Sequence, residues 1–125
     1  MQNIDKMVRE FEIVDVKDMK IDIEDFIKIF NEGDAILLDV RMPVETAVWG
    51  VKFAIEIPYN ELPDRLDELP KDKIIVCACP YDYRSNMAKE YLRFKGFNAK
   101  TLNGGLLGLT ERLVLGKSKD INLHS

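Results

Sequence analysis

Apolar residues along this chain form two patterns that alternate from one end to the other. Near-continuous apolar runs of strand length, such as Ala35–Val40, are typical of strands that are covered on both faces. Phe53–Ile57 is a second run of this kind, and Pro58 stops it because proline has no N–H to offer a ladder. The pattern predicts strands at Phe11–Val16, Ala35–Val40, Phe53–Ile57, Lys73–Cys79 and Ala99–Leu102.

Between these runs the apolar residues recur at helical spacing. Asp22 is the expected N-cap of the first helix, whose apolar positions are Ile23, Phe26, Ile27 and Phe30. Further helices are predicted at Pro43–Val48, at Leu62–Leu69, from Ser85 to about Gly96, and at Leu106–Leu115. We expect the polar segment Lys117–Ser125 to fray. Strands that alternate with short helices predict an α/β fold, a central parallel sheet with helices on both faces.

Composition restricts the domain count and the partners. The chain has 125 residues, of which 46% are hydrophobic, so we expect one domain over residues 1–125 with its core at about 11–115. The net charge is −4, and acidic and basic residues are interleaved. Nucleic acid and anionic membranes require a clustered basic surface, so neither is expected as a partner.

The ends of the chain and its cysteines indicate the compartment. Met1–Glu10 alternates polar and charged residues and resembles neither a signal peptide nor an anchor, and no apolar run approaches membrane-spanning length. Cys77 and Cys79, the two cysteines, are one residue apart, which disfavours a stable disulfide between them. These features predict a reducing, cytoplasmic setting in which the thiols serve chemistry or packing.

Cys79 ends a predicted strand, and the next predicted helix begins six residues later. Ligands of parallel α/β sheets bind beyond the carboxyl ends of the strands. Backbone N–H groups of the loop and of the first helical turn, together with Arg84, would stabilise a thiolate there. Ser85 would be the N-cap of the helix and could donate its hydroxyl toward the loop. A cysteine at a strand end is often only a small buried hydrophobe, so the nucleophile hypothesis depends on the whole arrangement of strand, Cys, four-residue spacer, Arg-Ser and helix.

Five motifs occur in an order that resembles the rhodanese-like sulfurtransferase family. No single one is decisive, but all five in register predict the family's fold over about 39–109. They are Leu38-Asp39-Val40-Arg41 with Pro43 and Glu45, the "AINIP"-like Ala54–Pro58, the "LPKDK" lead-in Leu69–Lys73, the Cys79…Arg84-Ser85 spacing, and Leu102-Asn103-Gly104-Gly105-Leu106.

The resemblance implies ping-pong transfer of sulfane sulfur without a metal or an organic cofactor. The Cys79 thiolate would take sulfur from a small donor or a protein persulfide and pass it to a thiol or to cyanide. Arg84 would orient the loop and supply positive charge. Backbone N–H groups of the loop would hold the anionic sulfur, and the substrate-binding residues would be Pro80, Tyr81, Asp82, Tyr83 and Ser85.

The loop departs from the family pattern at two positions. Asp82 replaces the usual glycine, and we expect it to adopt a left-handed backbone, which aspartate tolerates better than most residues. Its carboxylate should oppose a dianion such as thiosulfate, so we expect thiosulfate to be a poor donor. Pro80 has no N–H, so one potential donor to the sulfur is missing. Upstream, the family's histidine is absent and Phe53 stands where a glycine is usual.

Other candidate residues have structural alternatives. Tyr81 and Tyr83 could form an aromatic rim for a partner, or be ordinary half-exposed loop residues. Cys77 shares its side of the strand with Cys79, and packing is a more common role for it than sulfur relay. Asp39, Arg41 and Glu45 suggest a salt-bridged network that shapes the pocket floor. A metal site has little support, since His124 is the one histidine.

Two competing functions remain. Phosphatases and arsenate reductases related to this fold have five residues between Cys and Arg, whereas Pro80–Tyr83 is only four, a tighter loop that suits a single sulfur atom. A non-catalytic partner-binding module is the other alternative. The presence of both Cys79 and Arg84 argues against it, while Pro80 and Asp82 keep it open.

Overall fold

The structure is a computed structural model that describes residues 4–10, 18–114 and 116–123. The strand predicted at Phe11–Val16 and the residue His124 lie outside the described residues. The strands are β1 Lys20–Ile21, β2 Ala35–Asp39, β3 Ile55–Glu56, β4 Ile74–Ala78 and β5 Ala99–Leu102. The helices are α1 Ile4–Arg9, α2 Ile23–Asn31, α3 Pro43–Val48, α4 Tyr83–Phe94 and α5 Gly105–Leu113, with 3₁₀ turns at Tyr59–Asp64, Leu66–Glu68 and Ser118–Asp120.

The five strands form one sheet in the order β1-β5-β4-β2-β3, and every neighbouring pair is parallel. In the central pair, Ala35 is opposite Ile74 and Asp39 is opposite Ala78. Because the register is even, β2 and β4 end at the same edge of the sheet. Cys79, which follows β4, and Arg41, which lies just after β2, are therefore both at the carboxyl edge of the sheet.

Each face of the sheet carries its own hydrophobic core. On one face Cys77 and Cys79 pack with Ala88 and Leu92 of α4. On the other face Val76 and Ala78 pack with apolar residues of α2 and α5: Phe26, Phe30, Leu106, Leu109 and Leu113. Alternate residues of β4 thus face opposite cores, as strand geometry requires. This confirms the predicted α/β fold with helices on both faces.

The margins of the sheet differ from the prediction. The strand predicted at Phe53–Ile57 is reduced to β3, which pairs with β2 at two positions only. Phe53 packs its ring against Phe30 at a centroid distance of 5.3 Å instead of extending the ladder. The two-residue β1 was not predicted, because so short an edge strand has no detectable period.

The predicted helix Leu62–Leu69 was also wrong, since the structure has two separate 3₁₀ turns there. Pro63 lies inside the first of them and has no N–H for an α-helical bond. Leu62 and Leu69 are nevertheless buried, so the apolar spacing identified the core-facing side chains but not the helix type.

The described part of the C-terminal segment is anchored, contrary to the expectation that it frays. Asn31 of α2 donates its side-chain amide to the Asp120 carbonyl at 2.9 Å and accepts from the Asn122 N–H at 2.7 Å. Arg112 pairs with the Asp120 carboxylate at 3.0 Å. These contacts hold residues 118–122 against α2 and α5. Among the described helices, none has the length and apolar character that crossing a membrane requires.

The start of α5 packs directly on the backbone of the loop after β4. The N–H groups of Leu106 and Leu107 donate to the carbonyls of Cys79 and Pro80 at 2.8 and 3.3 Å. Gly105 has a φ of +63°, and a Cβ there would overlap the Tyr81 and Pro80 carbonyl oxygens and lie 2.8 Å from that of Cys79. Only glycine allows this close approach.

We expect Gly105→Ala to destabilise the protein far more than Gly33→Ala. Gly33 also has a positive φ, +82°, but a Cβ added there would meet no atom within 4 Å, so alanine should cost only the left-handed strain of about 1–2 kcal/mol. Alanine at Gly105 adds an overlap with three backbone carbonyls, and we expect at least twice that loss. Urea unfolding of both variants measures the difference, and equal losses would contradict the packing argument.

Candidate functional site

Cys79 follows β4 directly, and its side chain is buried, with 2% exposed. Its sulfur contacts Ser85, the third residue of α4. The Ser85 N–H donates to Sγ at 3.4 Å, and the Ser85 hydroxyl oxygen also lies 3.4 Å from Sγ. The neutral thiol donates to that hydroxyl, whereas a thiolate would accept from it. The sulfur therefore lies at the positive end of a twelve-residue helix.

Ser85 is not the N-cap that the sequence predicts. The helix begins at Tyr83, and Asp82 is at the N-cap position without a side-chain capping bond. Starting the helix two residues earlier moves Ser85 into the first turn, where it is fully buried. Its hydroxyl consequently meets the Cys79 sulfur instead of capping the helix.

Asp82 also differs from expectation in its backbone. Its φ is −142°, so the loop closes without any left-handed residue at this position. The reason is the early start of α4, which leaves only Pro80, Tyr81 and Asp82 between the cysteine and the helix. An aspartate therefore replaces glycine here without backbone strain, and its carboxylate is exposed to solvent.

Arg84 forms a two-pronged ion pair with Glu45. Arg84 Nη2 donates to Glu45 Oε2 at 2.7 Å, and Nη1 donates to Oε1. The hydrogen bond from Arg84 lowers the pKa of Glu45 to about 2, and the Met42 N–H, which donates to Oε1 at 3.0 Å, adds to this effect. In turn, the hydrogen bonds to Glu45 raise the pKa of Arg84. The pair joins α3 to α4 and sets a carboxylate against the positive charge of Arg84.

Asp39 and Arg41 form a second, buried ion pair. Arg41 Nη2 lies 2.7 Å from Asp39 Oδ2, and Nε donates to Oδ1 at 3.0 Å, with exposed fractions of 2% for Arg41 and 0% for Asp39. The Arg41 guanidinium also stacks 4.4 Å above the Trp49 ring. This pair fixes the chain where it leaves β2. Among the described contacts neither residue reaches the Cys79 sulfur, so their place is beneath the site.

Cys77 lies on the same side of β4 as Cys79, as predicted, and both belong to the same core. Its side chain is completely buried. Burial raises the pKa of the Cys77 thiol to about 12, because the apolar surroundings disfavour the thiolate. Both cysteines are free thiols. The geometry thus suits Cys77 for packing, and Cys79 has the contacts that a reactive sulfur needs.

Tyr81 and Tyr83 stand on either side of Asp82, with exposed fractions of 71% and 78%. Pro80 is partly buried, and its carbonyl is held by α5. The loop residues predicted from the sequence therefore do lie together around Cys79. The part played by Gly105 and Leu106, which fix the loop backbone, was missed. The two consecutive glycines after β5 were the available signal.

A cavity lies apart from this site. An apolar groove of about 430 Å³ opens at the amino edge of the sheet, between Phe30, Phe53 and Lys73. Among residues 4–10, 18–114 and 116–123, no three His, Cys, Asp or Glu side chains are grouped as metal ligands would be.

The Glu45–Arg84 pair should make stability depend on pH. Because the pKa of Glu45 is about 2 when folded, below its ordinary 4.5, the stabilisation is present above pH 4.5 and is lost as the pH falls toward 2. We expect Glu45→Gln to be less stable than wild type at pH 6, with the gap narrowing below pH 4.5. Urea unfolding across this range measures it, and Glu111→Gln, an exposed residue of α5, controls for the lost charge. Parallel curves for wild type and Glu45→Gln would contradict this interpretation.

Comparison with known proteins agrees with this geometry. Residues 22–112 match the family model of the rhodanese-like domain, and this range contains β2 to β5 and the loop after β4. A sulfurtransferase of Allochromatium vinosum is 35% identical over 81 residues, which cover 64% of this chain and 76% of that protein. A tRNA uridine(34) hydroxylase of Pelagibacter ubique is 32% identical over 78% of this chain, but the chain spans only 34% of that protein.

A solved structure gives the same result. The crystal structure of a rhodanese-related protein from Thermoplasma volcanium superposes with a TM-score of 0.66 at 29% identity, covering 74% of this chain and 91% of the other. The chain therefore belongs to the rhodanese-like domain family, whose relatives include proteins named as sulfurtransferases.

Proposed function

We propose that this protein is a sulfurtransferase that carries sulfane sulfur as a persulfide on Cys79. The observation that supports it most directly is the environment of the sulfur. The Cys79 Sγ has the Ser85 N–H and hydroxyl at 3.4 Å and lies at the N-terminal end of α4. A helix N-terminus and hydrogen-bond donors favour the thiolate, which is the nucleophilic form of cysteine.

The first half-reaction loads the enzyme. The Cys79 thiolate attacks the outer sulfur of a donor persulfide, forming a new S–S bond while the donor's own S–S bond breaks. The donor leaves as a thiolate, with the electron pair of the broken bond, and takes a proton from solvent. The added sulfur would lie about 2.05 Å from Sγ, and we expect the Ser85 N–H, which donates to Sγ, and the other loop N–H groups from Tyr81 onward to hold its negative charge.

The second half-reaction returns the enzyme to its starting state. An acceptor thiolate, or cyanide, attacks the outer sulfur of the Cys79 persulfide. The Cys79 S–S bond breaks, and its electron pair stays on Sγ, restoring the thiolate. Neither step consumes an oxidant or a reductant, and neither requires a metal or an organic cofactor. The two free cysteines suit a reducing compartment such as the cytoplasm.

Local charge favours some donors over others. The Arg84 guanidinium is already paired with Glu45, so it has little positive charge left for an incoming anion. The Asp82 carboxylate is exposed in the same loop, three residues after Cys79. A dianion such as thiosulfate meets net repulsion here, so the preferred donor is a protein persulfide or another sulfane sulfur compound of lower charge.

The alternatives have less support. The loop from Pro80 to Tyr83 has four residues, and α4 begins within it at Tyr83, which leaves no wide ring of amides for a tetrahedral oxyanion. A purely binding module would have no need of the Ser85 contacts to the sulfur. The hydroxylase relative extends well beyond the part that this chain matches, which is only 34% of that protein.

Intact-protein mass spectrometry after incubation with polysulfide tests persulfide formation. We expect wild type and Cys77→Ala to gain one sulfur atom that cyanide removes, and Cys79→Ala to gain none. The two variants are matched, since both remove one buried thiol from the same strand region. Loading of Cys79→Ala, or equal loss of loading in both variants, would contradict the assignment of Cys79.

Neutralising Asp82 should improve the use of thiosulfate. We expect Asp82→Asn to raise kcat/KM for thiosulfate about three- to tenfold at low salt, since one charge no longer repels a dianion at an exposed site. Asp72→Asn, an exposed change before β4 and at the opposite edge of the sheet, is the matched control. An unchanged kcat/KM in Asp82→Asn would mean that the carboxylate does not set donor choice.

A further inference from the structure

Exposed apolar side chains are concentrated around the Cys79 loop. Among the described residues nine large hydrophobic side chains are exposed, and five of them, besides Met87 farther along α4, belong to this loop or to the helices next to it. We call these five the apolar rim: Val44, Val48, Tyr81, Tyr83 and Leu107. Their exposed fractions run from 42% for Leu107 to 86% for Val48, and they have no role in either hydrophobic core.

Two contacts bring the apolar rim together. The Arg84–Glu45 ion pair joins α4 to α3, so that Tyr83 and Val44, the neighbours of these two residues in sequence, lie on adjoining elements. Val48 is one turn beyond Val44 on the same face of α3. On the other side, the Leu107 N–H donates to the Pro80 carbonyl at 3.3 Å. The apolar rim thus adjoins the loop on both sides.

We propose that the apolar rim is a docking surface for a protein that presents a cysteine, as donor or acceptor of sulfur, on a segment of apolar and basic residues. This deepens the proposed function and rests on it. Exposed apolar side chains grouped around one loop commonly mark a protein interface, and tyrosine is among the residues enriched there. A small inorganic donor would gain nothing from valines on a neighbouring helix.

The charge at the carboxyl edge specifies the basic character of the partner. Asp22 and Glu56 are exposed there, directly after β1 and at the end of β3, and Asp82 is exposed in the loop four residues after the last residue of β4. The two arginines at the same edge are paired, Arg41 with Asp39 and Arg84 with Glu45. The uncompensated charge is therefore negative, which attracts a basic segment and repels nucleic acid or an acidic peptide.

The burial of Cys79 favours a protein cysteine as the reacting group. Only 2% of the residue is exposed, so the partner's sulfur must enter the loop while the rest of its segment stays outside. A cysteine side chain on an extended segment has this shape, with flanking residues left to contact the apolar rim. Loading also extends the reactive sulfur outward by about 2.05 Å, toward the docked segment.

Two peptides of identical apolar sequence test the docking surface directly. In each, serine replaces the central cysteine, and the flanking charges are lysines in one peptide and glutamates in the other. Titration against the full chain, followed by NMR or fluorescence, measures affinity without any chemistry. We expect the lysine peptide to bind about tenfold more tightly at low salt, with a difference that shrinks as salt screens the charges. Equal affinity would overturn the charge argument.

Rim substitutions test the apolar part. We expect Val44→Ser/Val48→Ser to weaken the lysine peptide about five- to tenfold and to leave polysulfide loading of Cys79 within twofold of wild type. Val114→Ser changes an exposed valine that follows the far end of α5 and should change affinity less than twofold. Equal weakening by both changes, or none by the rim variant, would overturn the docking surface.

The same peptides carrying a cysteine persulfide separate this proposal from the one on which it rests. We expect the lysine peptide to load Cys79 faster than the glutamate peptide by about the ratio of their affinities. If polysulfide fails to load the wild type, the persulfide function is wrong. If polysulfide loads it and the two peptides transfer sulfur at the same rate, the function stands and the docking surface is wrong.

Discussion

The site depends on the close contact between the first turn of α5 and the backbone of the Cys79 loop. The loop places the Cys79 sulfur at the N-terminus of α4. Its backbone carbonyls point the other way, so they must find hydrogen-bond donors outside the loop. The N–H groups of Leu106 and Leu107 bind those carbonyls, and the missing side chain of Gly105 permits the distance. Two helix N-termini therefore meet at this loop. That of α4 faces the sulfur, and that of α5 binds the carbonyls behind it.

The two ion pairs around the loop have different effects on the site. Asp39 and Arg41 are buried and fix the end of β2. Because a buried ion pair adds little net stability, the main effect of this pair is to hold the chain in position. Glu45 and Arg84 are about one-third exposed and link α3 to α4. This second pair sets the Glu45 carboxylate against the positive charge of Arg84, and it aligns α4, the helix that contains Ser85. The consequence is a loop with little unpaired positive charge, which is the basis of the proposal that small dianions are poor donors.

The sequence predicted the buried strands most accurately. β2, β4 and β5 were placed to within one residue at either end, because strands covered on both faces leave continuous apolar runs. β1 and β3 are two-residue edge strands with single partners, and neither length nor periodicity marks such segments. Pro63 and the 3₁₀ turns show a related limit. Leucine spacing identifies which side chains face the core, but backbone hydrogen bonding decides the kind of helix.

Within the site, the sequence pattern identifies the residues but not their partners. Cys79, Arg84 and Ser85 do lie together, and Glu45 is adjacent. A pattern of residues does not reveal that Arg84 contacts Glu45 or that α4 begins at Tyr83, because both depend on how α3 approaches the loop. The consequence is largest for Asp82. An N-cap position with a φ of −142° tolerates aspartate freely, so the loop keeps an exposed carboxylate three residues after Cys79 without backbone strain.

Cys77 and Cys79 show how two residues of separation give two thiols different hydrogen-bonding surroundings. Both side chains face the same core, so their apolar surroundings are similar. Cys77 is inside the strand, where the backbone N–H groups are used in the ladder, and burial is the largest influence on the pKa of its thiol. Cys79 is one residue beyond the ladder, where the chain turns and the Ser85 N–H and hydroxyl become available. The end of hydrogen bonding in β4 therefore separates a packing cysteine from one that can serve as a nucleophile. The position of the thiol relative to the strand end, more than its depth of burial, distinguishes the two.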